Sequence, residues 1–321
     1  WGGPCQVGRG PLARRRPVPT DIADLVDIDF LDVRGTRVRV AWGGRQDKAR
    51  GTILVLPGRG EFLEKYAEAI EDFSRLGYAV AFVEWRGQGR SDRLLPNRWK
   101  GHVRSFEDYL ADLDAGVRHF TAARMPEPWL IFGHSMGGHL ALRALHRQPD
   151  LFRGAVLSAP MFGIEFGRLP PAAAWAICSA CVATGSGTRY APGQADFDPA
   201  TWIFEGNPLT TFSPRYEDYT RLLNEDPELG LGGVTYGWVH ASLRSMARAS
   251  RPDVLRRITA PVTVLQAGAE RIVSNRAQSV LTPRLRQGRL VRLEGARHDL
   301  LLERDEVRAT ILDVIGGGFG R

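Results

Sequence analysis

Three observations in the sequence predict an α/β fold, a mostly parallel sheet flanked by helices and interrupted by an inserted, mainly helical cap. Short apolar runs at 52–56, 79–84, 130–132 and 155–158 are separated by stretches of helical period, as parallel strands joined by crossover helices require. About a hundred residues then separate Ser158 from the next such run at 262–266, where a crossover needs far fewer. Third, Trp129 to Gly138 reads Trp-Leu-Ile-Phe-Gly-His-Ser-Met-Gly-Gly, a strand-like run that breaks at Gly-x-Ser-x-Gly and flows into a helical stretch at 140–148. With 321 residues and 43% hydrophobic content, the chain can bury a core large enough for one domain carrying an insertion.

Taken in order, residues 1–20 are Gly/Pro-rich and contain Arg14, Arg15 and Arg16; with little apolar surface to bury, they read as a flexible tail. Two strand-like runs, 27–33 and 37–42, are joined by Arg34-Gly35-Thr36, which predicts an antiparallel hairpin. Phe62, Tyr66, Ile70, Phe73 and Leu76 repeat at helical spacing and stop at Gly77. Ser105 with Asp108 resembles a capping box ahead of Tyr109, Leu113, Val117 and Phe120. The segment 170–184 is Ala-rich and helical in character, a Gly/Pro-rich loop follows, and 213–224 reads as a polar helix. These place a cap at 161–250, with the core built from 21–160 and 251–321. The sheet resumes at 262–266 and 290–293, and a last helix carries Val307, Ile311 and Ile315 before Gly316.

The net charge is +7, and of 43 basic residues all but Lys48, Lys65 and Lys100 are arginines. They are scattered rather than gathered on one helix face or interleaved with aromatics, which argues against nucleic-acid binding and for a bias of composition. The apolar stretch 170–184 is too short and interrupted to span a bilayer, and no charged start followed by an apolar run marks a signal peptide. The default expectation is a cytoplasmic protein, with transient contact at the inner membrane surface through the cap as the second location. Cys5, Cys178 and Cys181 form an odd set with a single C-x-x-C in an apolar setting; without a second pair they read as small packed side chains rather than a zinc or redox site.

Chance alone would produce the five-residue serine pattern in roughly one chain in six of this glycine content, so its strand-turn-helix context decides. Ser135 is then the candidate nucleophile, on a strained turn that Gly133 and Gly137 permit. A serine hydroxyl needs a base, and the base needs an orienting carboxylate. Of the histidines beyond Ser135, His139 and His146 fall on the helix after the turn and His240 in the insertion. Only His298 follows a late strand, in Leu293-Glu294-Gly295-Ala296-Arg297-His298, and is the candidate base. The loop Ala267-Gly268-Ala269-Glu270-Arg271 supplies Glu270 as the acid; Asp299, beside His298, would point away from the ring it follows. Backbone amides of Met136 and of Arg59, in Leu56-Pro57-Gly58-Arg59-Gly60-Glu61, are the candidate oxyanion donors. Read alone, that Gly-x-Gly is weak, and no Gly-Lys-Ser/Thr follows to make it a P-loop.

Together with Glu84-Trp85-Arg86-Gly87-Gln88-Gly89-Arg90-Ser91 and Gly295-Ala296-Arg297-His298, these segments resemble the monoacylglycerol lipase and bacterial lysophospholipase branch of the α/β-hydrolases. The insertion's Gly232-Gly233-Val234-Thr235-Tyr236-Gly237-Trp238 is similar to the lysophospholipase-type members in particular. The resemblance implies hydrolysis of a single-chain acyl ester, a lysolipid or monoacylglycerol, with the cap shaping an acyl tunnel. Two departures stand out: the first oxyanion loop of the family opens His-Gly where this chain has Pro57-Gly58, and the family acid is aspartate where this chain has Glu270.

The same constellation serves aminopeptidases and other esterases. A peptidase would need an acid in the cap to hold a substrate amine, and Asp196, Asp198, Glu205, Glu217 and Glu225 are available. A non-catalytic protein of this fold, binding lipid or a partner, is the alternative from another class. No metal cluster or cofactor fingerprint is present in the sequence, so none is expected.

Overall fold

The central strands are apolar along their whole length because both of their faces are covered. The computed structural model describes residues 22–44 and 49–317, so the tail expected over residues 1–20 lies outside the described residues. Within them are β1 (Asp27–Asp32), β2 (Arg37–Gly43), β3 (Thr52–Leu56), β4 (Ala79–Glu84), β5 (Trp129–His134), β6 (Phe152–Ser158), β7 (Val262–Ala267) and β8 (Gly288–Leu293). They form one sheet in the order β1-β2-β4-β3-β5-β6-β7-β8. β2 runs antiparallel to both β1 and β4, and every other pairing is parallel.

Alternation along a strand sends successive side chains into two different cores. In β3, Leu54 and Leu56 face the side covered by α2 (Phe106–Ala122) and α3 (Met136–Arg147), where Leu113, Phe120 and Leu140 meet them. Ile53 and Val55 face the side covered by α1 (Ala67–Arg75) and by the last helix (Asp305–Gly316), against Ile70, Phe73 and Ile311. The outer strands β1 and β8 are largely exposed on both faces, as strands at the two edges of the sheet.

Between β6 and β7 the chain runs through α4 (Pro171–Ala183), α5 (Ser213–Glu225), α6 (Tyr236–Ala249) and α7 (Pro252–Arg257); α8 (Asn275–Leu281) follows β7, and the last helix is α9. A smaller core ties this insertion to the rest, with Phe62 and Leu302 packed against Phe197, Tyr219, Leu223 and Leu229. α6 is not among the helices expected from the sequence; its buried face sets Trp238, Val239 and Met246 among Ala241, Ser242 and Ser245. Nor are the short helices α7 and α8 among those expected. α3 starts at Met136 rather than near 140, since its first turn is the continuation of the serine turn and keeps Gly137 and Gly138 in helical geometry. Ser105 caps α2 by accepting from the Glu107 amide at 3.2 Å, rather than through the reciprocal capping box with Asp108.

Ser135 joins β5 to α3 with φ 50° and ψ −114°, a conformation unfavourable to a side-chain-bearing residue. Its surroundings enforce that conformation. The Ser135 amide donates to Ser158 O at 2.9 Å, and its carbonyl accepts from His139 N at 3.1 Å and Met161 N at 2.9 Å. The turn also presses α3 against the end of β3, so that a Cβ on Gly137 would sit 2.0 Å from Leu56 O and 2.5 Å from Pro57 O. Backbone cannot yield there without moving the sheet. Gly137→Ala should therefore lower stability by about 3 kcal/mol, at the upper end of overpacking costs, read as a drop in the denaturant midpoint. An unchanged midpoint would show that the turn tolerates a Cβ.

Candidate active site

Four loops at the carboxyl ends of parallel strands converge on one point, where open α/β sheets bind their ligands. β5 delivers Ser135, the loop after β3 delivers Arg59, the loop after β7 delivers Glu270 and the loop after β8 delivers His298. Ser135 and His298 are both buried and line the same cavity. His298 Nδ1 lies 2.7 Å from Glu270 Oε2. The other oxygen, Oε1, accepts from the amides of Arg271 (2.9 Å), Ile272 (2.8 Å) and Val273 (3.3 Å), so the carboxylate is fixed by its own loop. Burial alone would raise the Glu270 carboxyl; the hydrogen bonds from His298 and from those amides hold it below the usual glutamate range.

Asp299 does not compete for the ring. Its carboxylate pairs with Lys65 Nζ, which also bridges to Glu61. Burial would raise the Asp299 carboxyl, but the ammonium brings it down to about 2. For Lys65 the same two carboxylates outweigh burial and raise its value. Glu61 in turn accepts from the Gly58 amide and, at 2.5 Å, from the Tyr66 hydroxyl. His134 completes the cluster, with Nε2 3.4 Å from Glu61 Oε1 and its ring 4.9 Å from that of His298. Ligand atoms of Glu61, His134 and Asp299 lie within 4.8 Å of one another, the spacing of a cation site. The Lys65 ammonium already bridges the two carboxylates, so the trio's negative charge is met by the protein itself.

The Arg59 loop is held by two side chains of one neighbouring segment. Gln88 donates to Gly58 O (2.9 Å) and Glu61 O (2.8 Å) and accepts from Gly60 N (3.1 Å), while Trp85 Nε1 donates to Pro57 O at 2.8 Å. Between these braced residues the Arg59 amide donates to no described residue. Met136, first in α3, is among the residues whose amides have no partner within a helix. The segment Glu84 to Ser91, which sequence alone offers only as a likeness, thus acts as the scaffold of that loop. Nothing in the sequence marks Lys65, Glu61 and Gln88 as a set, because the Lys65–Asp299 pair joins residues far apart in the chain.

The remaining histidines are used elsewhere. His139 is fully buried against Ser245, Nε2 to Oγ 2.6 Å, and burial lowers its value to about 3. His240 packs its ring on Trp175, centroids 4.8 Å apart. Cys178 and Cys181 are both free thiols, and Cys178 is buried in α4; Cys5 lies outside the described residues.

Above Ser135 opens a cavity of about 950 Å³. Its walls combine the strand-end loops with the insertion, including Leu169, Ala174 and Ile177 around α4 and Trp238 and Val239 from α6. The insertion is pinned to the His298 loop by main-chain bonds, Asp299 N to Leu209 O at 2.8 Å and His298 N to Pro208 O at 3.4 Å, and by Arg297, which donates to Asn207 O at 2.7 Å. Among the described residues no helix is long and apolar enough to cross a membrane.

Residues 47–305 match the family model described as serine aminopeptidase, S33. The chain is 33% identical to lysophospholipase L2 of Escherichia coli K12 over 94% of its own length and 88% of the relative's. It is 24% identical to rat monoglyceride lipase over 83% and 81% of the two chains. Among solved structures, a soluble variant of monoglyceride lipase from Saccharomyces cerevisiae superposes with a TM-score of 0.72 at 19% identity, covering 94% of this chain and 97% of that one. Monoacylglycerol lipase of Paleococcus ferrophilus gives 0.68 at 23% identity over 87% and 98%. With this sheet order, this turn and these relatives, the chain belongs to the α/β-hydrolase family of serine ester hydrolases, in its lysophospholipase and monoglyceride lipase branch.

Proposed function

We propose that the chain cleaves single-chain acyl esters, lysophospholipid or monoacylglycerol, through an acyl-enzyme on Ser135. The observation that carries this reading is the 2.7 Å contact of His298 with Glu270 at the floor of the apolar cavity that Ser135 also lines. Glu270 holds the Nδ1–H tautomer and leaves Nε2 free to take the serine proton as Oγ attacks the ester carbonyl. The amides of Arg59 and Met136 receive the oxyanion. Collapse expels the alcohol, protonated by His298, and water repeats the cycle on the acyl-enzyme. The volume of about 950 Å³ accommodates one acyl chain, with residues 161–250 acting as the cap that encloses it.

The aminopeptidase reading keeps one of its five amine anchors at the cavity. Asp196 is engaged by Tyr190 and Asn97, Glu217 by Ser213 and Glu225 by Arg221, and of the five candidate acids only Glu205 lines the cavity.

Ser135→Ala should abolish both ester turnover and labelling by a fluorophosphonate probe without a change in melting temperature; labelling elsewhere with turnover retained would move the nucleophile. Glu270→Gln should lower kcat by a factor on the order of 10⁴, because the amide favours the wrong imidazole tautomer. Retention of full activity by that variant would remove Glu270 from the triad.

Asp299→Asn should act on stability. A carboxyl depressed in the folded state stabilises it above the unfolded value of about 4, and that contribution fades as pH falls towards about 2. The variant should be about 3 kcal/mol less stable at neutral pH, since the buried ammonium keeps only Glu61, and should lose less stability than the wild type between about pH 4 and pH 2, with the other depressed carboxylates, Glu61 and Glu270 among them, still contributing. Parallel acid-unfolding curves would refute the Lys65–Asp299 coupling.

The outer side of α4 presents Trp175 and Ile177, 38% and 44% exposed, near Leu169 and Val182. This apolar edge at the mouth of the cavity is proposed to rest on lipid surfaces. Trp175→Asp should then weaken vesicle binding by about tenfold and slow turnover of aggregated more than of dispersed substrate. Equal vesicle binding would discard the surface role.

A further inference from the structure

Among the interior arginines, Arg59 is placed differently. Arg39 pairs with Glu64, Arg86 with Asp112, Arg215 with Glu68 and Asp305, and Arg308 with Asp72. Arg93 and Arg297 have no carboxylate partner among the described residues but donate to several carbonyls: Gly87, Glu228 and Gly230 for Arg93, Asn207 and Thr210 for Arg297. The Arg59 guanidinium makes no ion pair among the described residues, and its one hydrogen bond there runs from Nη1 to Gly232 O at 2.9 Å. It lines the same cavity as Ser135 and His298. The side chain is half-buried at the cavity wall, and its partial loss of water, with no carboxylate beside it, lowers its value.

Its position is fixed rather than chosen freely. The guanidinium stands over the Trp238 ring at 5.9 Å, and Gly101 makes room for it, since a Cβ there would lie 2.7 Å from Nη1. Gly232 and Trp238 bound the very segment in which the sequence resembles lysophospholipases. The other cation of the cavity, Lys65, is neutralised by Glu61 and Asp299. A pre-positioned, uncompensated fork of N–H donors matches a phosphate in both charge and geometry.

We propose that the Arg59 side chain binds the phosphodiester of a lysophospholipid headgroup and thereby sets the preference between phosphate-bearing and neutral single-chain esters. This rests on the ester-hydrolase reading above and deepens it. The backbone amide of the same residue is proposed to face the reacting carbonyl. Charge and carbonyl are therefore held about a side-chain length apart, and in the substrate a glycerol unit separates the ester from the phosphate.

The test compares kcat/KM for 1-oleoyl lysophosphatidylcholine and 1-oleoylglycerol, which share an acyl chain and differ in the phosphate. Because Arg59 belongs to the reacting site, both rates are free to fall in its variants, and the quantity read is their ratio. Arg59→Met should lower the ratio of phospholipid to neutral ester at least tenfold, mainly through KM, in line with losing a hydrogen bond to a charged group. Arg59→Lys should restore part of it. Gly101→Ala, which displaces the guanidinium without touching Arg59, should lower the ratio as well and serves if Arg59→Met folds poorly. An unchanged ratio in both variants overturns the proposal. Glycerophosphocholine should inhibit the wild type but not Arg59→Met; stronger inhibition by inorganic phosphate would overturn the headgroup assignment in favour of a free-phosphate site. If the wild type hydrolyses neither ester, the functional reading falls. Calorimetric binding of glycerophosphocholine, lost in Arg59→Met, would then still support the anion site, and no binding to either would overturn it too.

Discussion

One buried ammonium, Lys65 Nζ, stands between the loop that follows β3 and the loop that follows β8. It bridges Glu61 of the first to Asp299 of the second, and Glu61 passes the restraint on to the Gly58 amide, Tyr66 and His134. Burying three charges this deeply is favourable only while each has its partners; remove one and the others are stranded at a cost of several kcal/mol. The cluster is therefore closer to all-or-none than a set of independent contacts. The two loops carrying Arg59 and His298 cannot drift apart without exposing it. In a chain whose cations are nearly all arginine, a lysine at this place makes physical sense: its compact charge and three donors serve two carboxylates converging from different directions, where a planar fork would favour one.

How much of this was legible beforehand depended on the range of the interaction. Leu54, Leu56, Ile53 and Val55 announce a strand covered on both faces within five residues, and the Ser135 turn is local as well, so the parallel sheet and the position of the serine could be read directly. Glu270 and His298 were readable for a different reason, because strand order places both loops at one end of the sheet. The Lys65 cluster was not. Asp299 reads along the sequence only as an alternative acid that would point away from the ring, and only the partner 234 positions away shows that its carboxylate is committed elsewhere. α6 was also missed although its residues carry a helical period, because Trp238, Val239 and Met246 are interleaved with small and polar residues on the buried face.

The arginine excess, which reads along the sequence as scattered charge, acquires a pattern in three dimensions. Arg215 of the insertion grips Glu68 near the start of α1 and Asp305 at the start of α9, Arg90 reaches Asp226, and Arg143 of α3 and Arg248 of α6 share Glu107. Several of these pairs join the core to the segment between β6 and β7. The exposed pairs among them, those of Arg90 and Arg248, contribute little stability one by one. Their geometric effect is larger than their energy, because a planar guanidinium bound to two elements fixes orientation, and the insertion forms one wall of the cavity. Part of the basic charge thus serves internal registration.

The glutamate at position 270 is the departure from the family pattern that needed a structural answer. A longer side chain adds a torsion, and a carboxylate free to swing would orient His298 poorly. In this chain the extra reach is folded back: Oε1 accepts three successive amides, from Arg271 to Val273, while Oε2 faces the imidazole. The loop after β7 therefore holds the acid by its own backbone, and the added methylene lies between two fixed ends. An aspartate at the same position has the same two oxygens but less length to span from loop amides to ring, so the surrounding backbone, not the residue type alone, fits a glutamate to the imidazole here. In its proposed role Glu270 is a preorganised hydrogen-bond acceptor, and the low value that these donors give its carboxyl keeps it ionised beside the imidazolium that forms in each half-reaction.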